Sequence, residues 1–484
     1  MRVRPNPKAV VCIVYVAAMF MAAMDATIVN VALRTIGSDL QVPPSAMGTL
    51  NIGYLVSLAV FLPLSGWLGD RWGTKRVFLI ALGIFTGASA LCGLADSVAS
   101  LTVCRVIQGA GGGLLTPVGM AMLFRTFAPQ ERAKLSRTLV LPIAVAPALG
   151  PIVGGVIVDA ISWRWIFYFN LPVGIAALLF GMAYLKEHVE PEAGKFDALG
   201  FWLSAPGFAM AMYALSQGAI RGWSSPEIIG TGLCGAVLLT MLVRTELRVS
   251  EPMLNLRLLG DRLFRTMGLI SLCSAAGLLG MLYVFPLMYQ DVLKASALET
   301  GLTTFPEALG LMVASQIVPW SYQRIGPRRL IAIALLCAAF IFVMLSMVGQ
   351  ESSPWYIRSL LFGVGLFLGH AVGAVQVACF VNIPPASMGR ASTLFTVQNR
   401  LGSAIGVAVL AGLLAAFGTF ASDSAVTVQA NAGAYRAALL GAAAFLAVAL
   451  LFALRIRDTD AAATMRKRIP VKTPDIEPAA TAGK

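Results

Sequence analysis

The chain has little of what a soluble protein or an enzyme needs. Charged residues make up 12% of its 484 residues and there are two histidines, whereas soluble domains carry roughly 25% charged residues. The seven cysteines are scattered through apolar segments without metal-ligand or disulfide spacing. No glycine-rich phosphate loop follows a predicted strand. We therefore expect no catalytic residue, no metal and no cofactor. A membrane-embedded enzyme or sensor is the weakest interpretation.

Long apolar runs are abundant instead. Hydrophobic residues make up 58% of the chain, and apolar runs of about 18 residues or more are candidates for membrane-spanning helices. Fourteen runs qualify, at about 9–33, 47–69, 77–97, 99–124, 138–160, 166–185, 198–217, 227–243, 266–290, 300–320, 329–349, 354–380, 393–420 and 434–454. The sequence predicts an all-α polytopic membrane protein with a disordered cytoplasmic tail at 458–484. Because the run at 227–243 is short, twelve helices with a re-entrant hairpin at 198–243 is an alternative.

The net charge of +13 is distributed as expected for membrane topology, which argues against a nucleic-acid partner. With the N-terminus inside, 29 of the 36 lysines and arginines fall in cytoplasmic segments. The positive-inside rule then places both termini in the cytoplasm. We expect a multi-pass protein of the bacterial inner membrane, with the lipid bilayer as its partner, and the sequence is compatible with a monomer.

Short segments recur at a nearly constant spacing. GDRWGTKR at 69–76 resembles YQRIGPRR at 322–329, 253 residues further on, and LGPIVGG at 149–155 resembles LGSAIGV at 401–407. Internal repeats of this kind are common in transporters. We expect two six-helix bundles, at 1–190 and 263–457, with two inserted helices in the linker at 191–262.

Five segments, in order, resemble signatures of the major facilitator superfamily and of its fourteen-helix drug:proton antiporter branch. They are MDATIVNVAL (24–33), GWLGDRWGTKR (66–76), LTVCRVIQGAGGG (101–113), ALGPIVGG (148–155) and SWRWIFYFNLPVG (162–174). Ala146 and Arg34 depart from the glycine and proline usual in those signatures. The resemblance implies a proton-coupled antiporter that exports lipophilic small molecules, of the multidrug efflux type, by alternating access. A proton-coupled symporter or a uniporter of a metabolite on the same fold is the alternative.

Ionisable residues inside membrane helices are costly and mark candidate sites. Asp25 lies in the first apolar run, about two turns short of its outer end, and Asn30 lies on a neighbouring face. Arg105 lies about two turns into the fourth run, with Gln108 one turn deeper as a hydrogen-bonding partner. The resemblance implicates Arg105 in proton transfer. We expect Asp25 to couple protons or to bind a cationic substrate, and Glu307 is the matching candidate in the second half.

Each candidate has a plain structural alternative. Asp25 could make a structural hydrogen bond, Arg105 could extend towards the outer surface, and Glu307 could support the proline kink beside it. His370, a single histidine among glycine and aliphatic residues, is better explained by packing.

Asp70 is the candidate gating residue. It lies at the cytoplasmic, C-terminal end of the second predicted helix, where the helix dipole disfavours a negative charge. The carboxylate therefore needs a partner in Arg71, in Arg76 or at the N-terminus of a helix in the other half. We expect Gly66, Gly69 and Gly73 to allow the tight turn that presents it. Gln323 stands at the equivalent position of the second repeat, so the predicted latch is one-sided. The alternative is that the basic residues only anchor the topology.

The fifth run combines prolines and glycines that resemble an antiporter motif. The candidates are Pro147, Gly150, Pro151, Gly154 and Gly155. Proline bends a helix and glycine permits close helix contact. We expect a bent, tightly packed helix that takes part in gating, with ordinary small-residue packing as the alternative.

Overall fold

The structure is a computed structural model that describes residues 6–42, 44–128, 131–132, 135–191, 194–417, 432–457 and 460–461. Within these residues the regular structure is helical throughout and contains no strand. The predicted all-α class is therefore confirmed. The predicted tail at 458–484 lies outside the described residues, except for 460–461.

The first part of the chain, including the linker, forms ten α-helices within the described ranges. They are α1 (Pro7–Asp39), α2 (Pro44–Phe61), α3 (Leu64–Trp72), α4 (Thr74–Gly93), α5 (Val98–Thr126), α6 (Leu135–Ala160), α7 (Trp165–Tyr168), α8 (Asn170–Tyr184), α9 (Ala198–Arg221) and α10 (Pro226–Glu246). The second part adds six. They are α11 (Arg262–Leu293), α12 (Ala297–Ile325), α13 (Pro327–Ser346), α14 (Pro354–Cys379), α15 (Met388–Ala416) and α16 (Ala432–Leu454).

Each predicted membrane run falls on one helix or on a consecutive pair. Eleven helices of the described chain are long and apolar enough to span a membrane, and α2 with α3, bent by 53°, would be a twelfth span. Pro63 lies at that bend, where a proline interrupts helical hydrogen bonding. The other two runs correspond to α6 and α12, which have 26 and 29 residues. Fourteen crossings are therefore compatible with the structure, and the count stays a prediction.

The packing repeats between the two halves. In the first half α1 packs on α6 and α5 packs on both α2 and α4; in the second, α11 packs on α15 and α14 packs on both α12 and α13. The inserted helices α9 and α10 pack on each other, and α9 also contacts α2 and α15. Two six-helix repeats with an inserted pair are thus visible, while the exact limits at 190, 262 and 457 remain predictions.

Polar caps fix where several helices begin. Asp261 accepts a hydrogen bond from the Phe264 N–H at 2.7 Å at the start of α11. Ser296 and Glu299 form a capping box at the start of α12. Each such cap stabilises a helix by about 1 kcal/mol, so these residues set the register in which the helices enter the bundle.

One residue of the predicted charge pattern is placed differently. Arg400 was counted among the cytoplasmic basic residues although it falls within the predicted run at 393–420, and it lies inside α15, twelve residues after Met388. The cytoplasmic segments therefore keep 28 of the 36 basic residues, which leaves the predicted topology unchanged.

Candidate functional site

Asp25 lies near the middle of α1 and is fully buried. The prediction of a position two turns from the outer end was wrong, because α1 continues to Asp39. The predicted boundary followed the first charged residue after the apolar run, whereas a helical backbone does not require apolar side chains. The carboxylate is therefore deeper than the sequence indicated.

Arg105 is the ion-pair partner of Asp25. Its Nη1 donates to Asp25 Oδ2 at 2.6 Å, and the two side chains are 1% and 0% exposed. The same Nη1 donates to Gln108 Oε1 at 2.8 Å, as the one-turn spacing predicted. Gln108 Nε2 in turn donates to Asp25 Oδ1 at 3.0 Å. Three of the predicted site residues thus form one hydrogen-bonded cluster between α1 and α5.

Asn170, at the start of α8, is a fourth member that the sequence analysis missed. Its Nδ2 donates to Asp25 Oδ1 at 3.1 Å and to Ser89 Oγ at 3.0 Å. Ser89 donates onward to the Phe167 carbonyl at 2.9 Å. Asn170 is a polar but uncharged residue in the apolar run at 166–185, so a search for ionisable residues passed over it, and a search that included polar amides would have found it.

Two aromatic rings enclose the Arg105 guanidinium. Its central carbon lies 4.5 Å from the Tyr54 ring centroid and 5.9 Å from that of Phe167. Removing one partner of a buried ion pair costs about 3–5 kcal/mol, because the other charge is left uncompensated. Protonation of Asp25 would therefore require Arg105 to find other acceptors or to move.

The remaining candidates for the polar site stand apart from this cluster. The side chain of Asn30 lies outside the described residues. Glu307, in α12, is 5% exposed, and within the described structure no hydrogen bond or ion pair engages its carboxylate. His370 Nδ1 lies 2.7 Å from the Leu366 carbonyl one turn earlier in its own helix, which agrees with a packing role.

Asp70 lies in α3 and pairs with a residue that the sequence analysis had assigned to topology. Arg125, at the end of α5, donates from Nη2 to Asp70 Oδ1 at 2.7 Å, and both side chains are nearly buried. Arg71 is exposed, and Arg76 instead lies 3.6 Å from Glu187. Neither Arg71 nor Arg76 pairs with Asp70 in the described structure, because both side chains point to the surface while Asp70 faces α5 and α15.

The N-terminus of α15 is the second neighbour of Asp70, as one of the predicted alternatives required. A Cβ atom added at Gly389 would collide with Asp70 Oδ1, so the carboxylate lies against the first turn of a helix from the other half. Helix N-termini favour negative charge. The prediction that Gly66 and Gly69 form a turn was wrong: both lie inside α3, and a Cβ at Gly66 would lie 2.8 Å from Thr393 Oγ1. Gly73 alone takes a turn conformation, with φ of 99°.

Further contacts join the two halves at the Asp70 end of the bundle. Ser65 Oγ lies 2.9 Å from Thr393 Oγ1. Ser392 donates to the Pro117 carbonyl at 2.8 Å, and Arg132 Nη1 donates to the Phe380 carbonyl at 2.5 Å. Together with the contact between Asp70 and Gly389, these contacts close this end.

Helix α6 approaches α1 closely at two glycines of the predicted gating motif. A Cβ at Gly150 would collide with Thr27 Oγ1, and one at Gly154 would lie 2.7 Å from Ile28 Cγ1. A Cβ at Gly155 would meet no atom of the described residues within 4 Å. The side chains of Pro147 and Pro151 lie outside the described residues. The α1–α6 contact places the motif within two to three residues of Asp25 on α1.

Comparisons with known proteins agree with this architecture. Residues 15–407 match the sequence profile of the Major Facilitator Superfamily. The multidrug resistance protein B homolog of Mycobacterium tuberculosis is 32% identical over 411 residues, which cover 83% of this chain and 75% of that protein. The putative multidrug resistance protein MdtD of Cronobacter sakazakii is 33% identical over 411 residues, with coverages of 84% and 86%.

A solved structure supports the fold. The crystal structure of the human organic anion transporter MFSD10 (TETRAN) matches with a TM-score of 0.65 at 16% identity, covering 93% of this chain and 100% of that one. The duplicated bundles, the multi-pass helical architecture and the sequence match over most of the chain agree with the family inferred from the five motifs. The chain belongs to the Major Facilitator Superfamily, a family of membrane transporters.

Proposed function

We propose that the protein is a proton-coupled antiporter that exports lipophilic small molecules across the bacterial inner membrane by alternating access. The observation that carries the proposal is the buried cluster of Asp25, Arg105, Gln108 and Asn170. A carboxylate buried in the middle of a membrane helix and held by displaceable N–H donors is suited to gain and lose a proton. The names of both relatives, which describe multidrug resistance proteins, support a drug-like substrate.

In the proposed cycle, a proton binds to Asp25 and breaks its ion pair with Arg105. The guanidinium keeps its hydrogen bond to Gln108 and its contact with the Tyr54 ring. The loss of one strong contact between α1 and α5 changes how α1 packs, and α1 is also the helix that Gly150 and Gly154 of α6 approach. The proton is thereby linked to a movement of the helices that bound the transport path.

The energy of one proton is sufficient for useful export. One elementary charge that crosses the membrane supplies about 2.3 kcal/mol per 100 mV. At about 1.4 kcal/mol per tenfold, this sustains a gradient of roughly fifty-fold for a neutral substrate.

The closed end at Asp70 is proposed to be the cytoplasmic gate. The bias of lysine and arginine places this end, and both termini, in the cytoplasm. Asp70 and its partner Arg125 both lie in the first half, whereas the α15 N-terminus belongs to the second. The contact between the Asp70 carboxylate and α15 therefore forms only when the cytoplasmic side is shut. The structure then corresponds to a state in which the transport path faces outward.

The alternative is a symporter or uniporter of a metabolite on the same fold. The glycine-rich contact between α1 and α6 belongs to the segment that resembles an antiporter motif and so favours antiport. The names of the relatives, which describe drug resistance, favour export. The direction of proton flow relative to substrate flow separates these possibilities.

The test uses inside-out membrane vesicles that contain the protein and are acidified by respiration. A panel of lipophilic compounds is added outside while a pH-sensitive dye reports the lumen. Antiport predicts that a substrate accumulates inside and raises the lumenal pH, whereas vesicles without the protein show neither effect. Substrate uptake without a proton signal would indicate uniport, and proton and substrate movement in the same direction would overturn antiport.

A further inference from the structure

A cavity lies between the two halves, above the closed end at Asp70. It has a volume of about 280 Å³, near the lower end of small-molecule pockets. Helix α2 forms one wall and α15 the other, and the inserted helix α9 covers the gap between them. Apolar side chains such as Leu55, Phe208, Met212 and Val397 form most of its surface.

Arg400 is the charged residue of this cavity wall. It lies twelve residues into α15 from Met388, roughly 18 Å along the helix at 1.5 Å per residue, and its side chain is exposed towards the cavity. Within the described residues no carboxylate lies within ion-pair distance of its guanidinium, and the cavity lining contains no acidic residue. An arginine at this depth is costly unless water or a partner solvates it.

The other polar groups of the wall do not neutralise Arg400. Ser216 and Ser403 contribute hydroxyl groups. Tyr213 also lines the cavity, but its hydroxyl donates to Glu227 at 2.6 Å, and Glu227 is itself paired with Arg221. Asp25 is no counter-ion for Arg400, because Arg105 already occupies it. The cavity thus presents one positive charge among apolar surfaces.

We propose that this cavity binds amphipathic organic anions, with an aromatic or aliphatic body against α2 and α9 and a carboxylate or sulfonate on Arg400. The proposal rests on the proposed function, since it names the substrate class of the same transport path. A bidentate arginine contact to a carboxylate is both strong and directional, whereas a cationic compound would be repelled from the same position.

The position of Arg400 also connects the cavity with the buried cluster. Arg400 lies in the neighbourhood of Tyr54, and the Tyr54 ring contacts Arg105 of the Asp25 pair. An anion on Arg400 would therefore lie one aromatic side chain away from the proton-binding cluster. In this arrangement an anion bound at Arg400 and a proton bound at Asp25 can affect each other's binding through Tyr54 and Arg105.

The test measures equilibrium binding to the purified full-length protein in uncharged detergent, without a proton gradient. The probes are anthracene-9-carboxylate, its neutral carboxamide and the cationic 9-(aminomethyl)anthracene, which share one ring system. We expect the carboxylate to bind the wild type about 10-fold more tightly than the carboxamide, which corresponds to about 1.4 kcal/mol. Arg400→Gln should abolish this preference and leave carboxamide binding within about twofold, while Arg400→Lys should keep most of it.

Arg358→Gln is the matched control, because Arg358 is a second-half arginine that lies over the Trp355 ring outside the cavity. It should retain the full preference for the anion. Addition of phosphatidylglycerol tests whether lipid phosphate occupies Arg400; competition with the carboxylate would assign the site to lipid and overturn the proposal.

Three other results would also overturn it: no binding of any probe, equal or tighter binding of the cation by the wild type, or an unchanged preference in Arg400→Gln. Binding in detergent is measured without a gradient, so it is independent of proton coupling. If the anion preference is intact in detergent but vesicles show no proton coupling, only the proposed antiport is refuted. Proton-coupled transport without an anion preference would refute only the assignment of Arg400.

Discussion

The two halves share a polar contact at one end but differ in their buried charges. In the first half, Asp39 near the end of α1 accepts hydrogen bonds from the Trp163 indole at 2.8 Å and from Arg164 at 2.9 Å. In the second half, Asp291 near the end of α11 accepts a hydrogen bond from the Tyr435 hydroxyl in α16. Each contact ties the first helix of a repeat to the segment that begins its sixth.

The buried ion pairs have no such counterpart in the described part of the second half. Leu278 stands 253 residues after Asp25, and Gln323 stands at the position of Asp70. Arg358, which corresponds to Arg105, lies 5.0 Å from the Trp355 ring centroid. Shared contacts therefore tie elements of each six-helix bundle together, whereas the unshared pairs are the ones to which we assign the proposed proton coupling and gating.

The largest expected effect tests where the proton is carried. Asp25→Asn should lower proton-linked transport by at least about 100-fold, because an amide cannot take up and release a proton at physiological pH. Glu307→Gln, the second-half counterpart, should lower it by less than about 10-fold. Proton flux in inside-out vesicles, normalised to protein amount, measures both. Equal losses would show that the two halves share the proton.

A double variant separates the loss of coupling from a folding defect. Asp25→Asn leaves Arg105 buried without its counter-ion, which costs about 3–5 kcal/mol. Asp25→Asn with Arg105→Gln removes both charges, so thermal stability should recover while transport stays abolished. Recovery of transport together with stability would mean that the ion pair is structural.

The next effect concerns the gate. Asp70→Asn removes the negative charge that lies against the α15 N-terminus. This interaction is worth up to about 2 kcal/mol, so its loss shifts the balance between the two gate states by up to roughly 30-fold. Gln323→Glu, at the equivalent site, should have a much smaller effect. Cys379 reports the change, because it is 1% exposed beside Phe380 at the closed end.

The readout is maleimide labelling of Cys379 in a variant whose other cysteines are replaced. Asp70→Asn should label faster and export more slowly, with substrate binding unchanged within about twofold. Unchanged labelling, or equal defects in the two variants, would show that the segment around Asp70 only anchors the topology.

A smaller effect is expected at the α1–α6 contact, where adjacent glycines provide their own control. At Gly154 a new Cβ would lie 2.7 Å from Ile28 Cγ1, whereas at Gly155 it would meet nothing within 4 Å in the described structure. Overpacking costs about 1–3 kcal/mol, so Gly154→Ala should lower the midpoint of thermal unfolding. Gly155→Ala should leave it unchanged or raise it slightly, because alanine favours helix. Equal shifts would mean that the close approach at Gly154 does not matter.

The sequence predicted the helices and the deep charged residues, because hydrophobic runs and their interruptions are local features. It did not predict that Asp25 and Arg105 form a pair, since 80 residues separate them and packing alone brings them together. Arg125 was assigned to a basic cytoplasmic segment because it lies close to the end of a run. At that position an arginine can either follow the positive-inside rule or pair with a gating carboxylate, and the sequence does not distinguish the two roles. Arg400 was missed because it was counted with the cytoplasmic basic residues, although it lies within the predicted run at 393–420 and well inside α15.

The smallest expected effect concerns the polar contact that both halves share, which in the first half joins Asp39 to Trp163 and Arg164. Hydrogen bonds from the Trp163 indole and from Arg164, together with the Arg164 charge, lower the pKa of the Asp39 carboxyl below its usual value. A lowered pKa in the folded state means that this contact stabilises the fold above the pKa of an unfolded aspartate, about 3.9. The contribution is lost as the pH falls through the folded pKa.

Asp39→Asn keeps an acceptor for Trp163 but removes the charge opposite Arg164. Because the Asp39 and Arg164 side chains are 48% and 36% exposed, the loss at pH 7 should be below about 1 kcal/mol. The difference in thermal unfolding between the two proteins should shrink as the pH falls from 7 to 3, and 1 M salt should also reduce it. A gap that is the same at pH 7 and pH 3 would show that the Asp39 charge contributes nothing and that the contact acts through Trp163 alone.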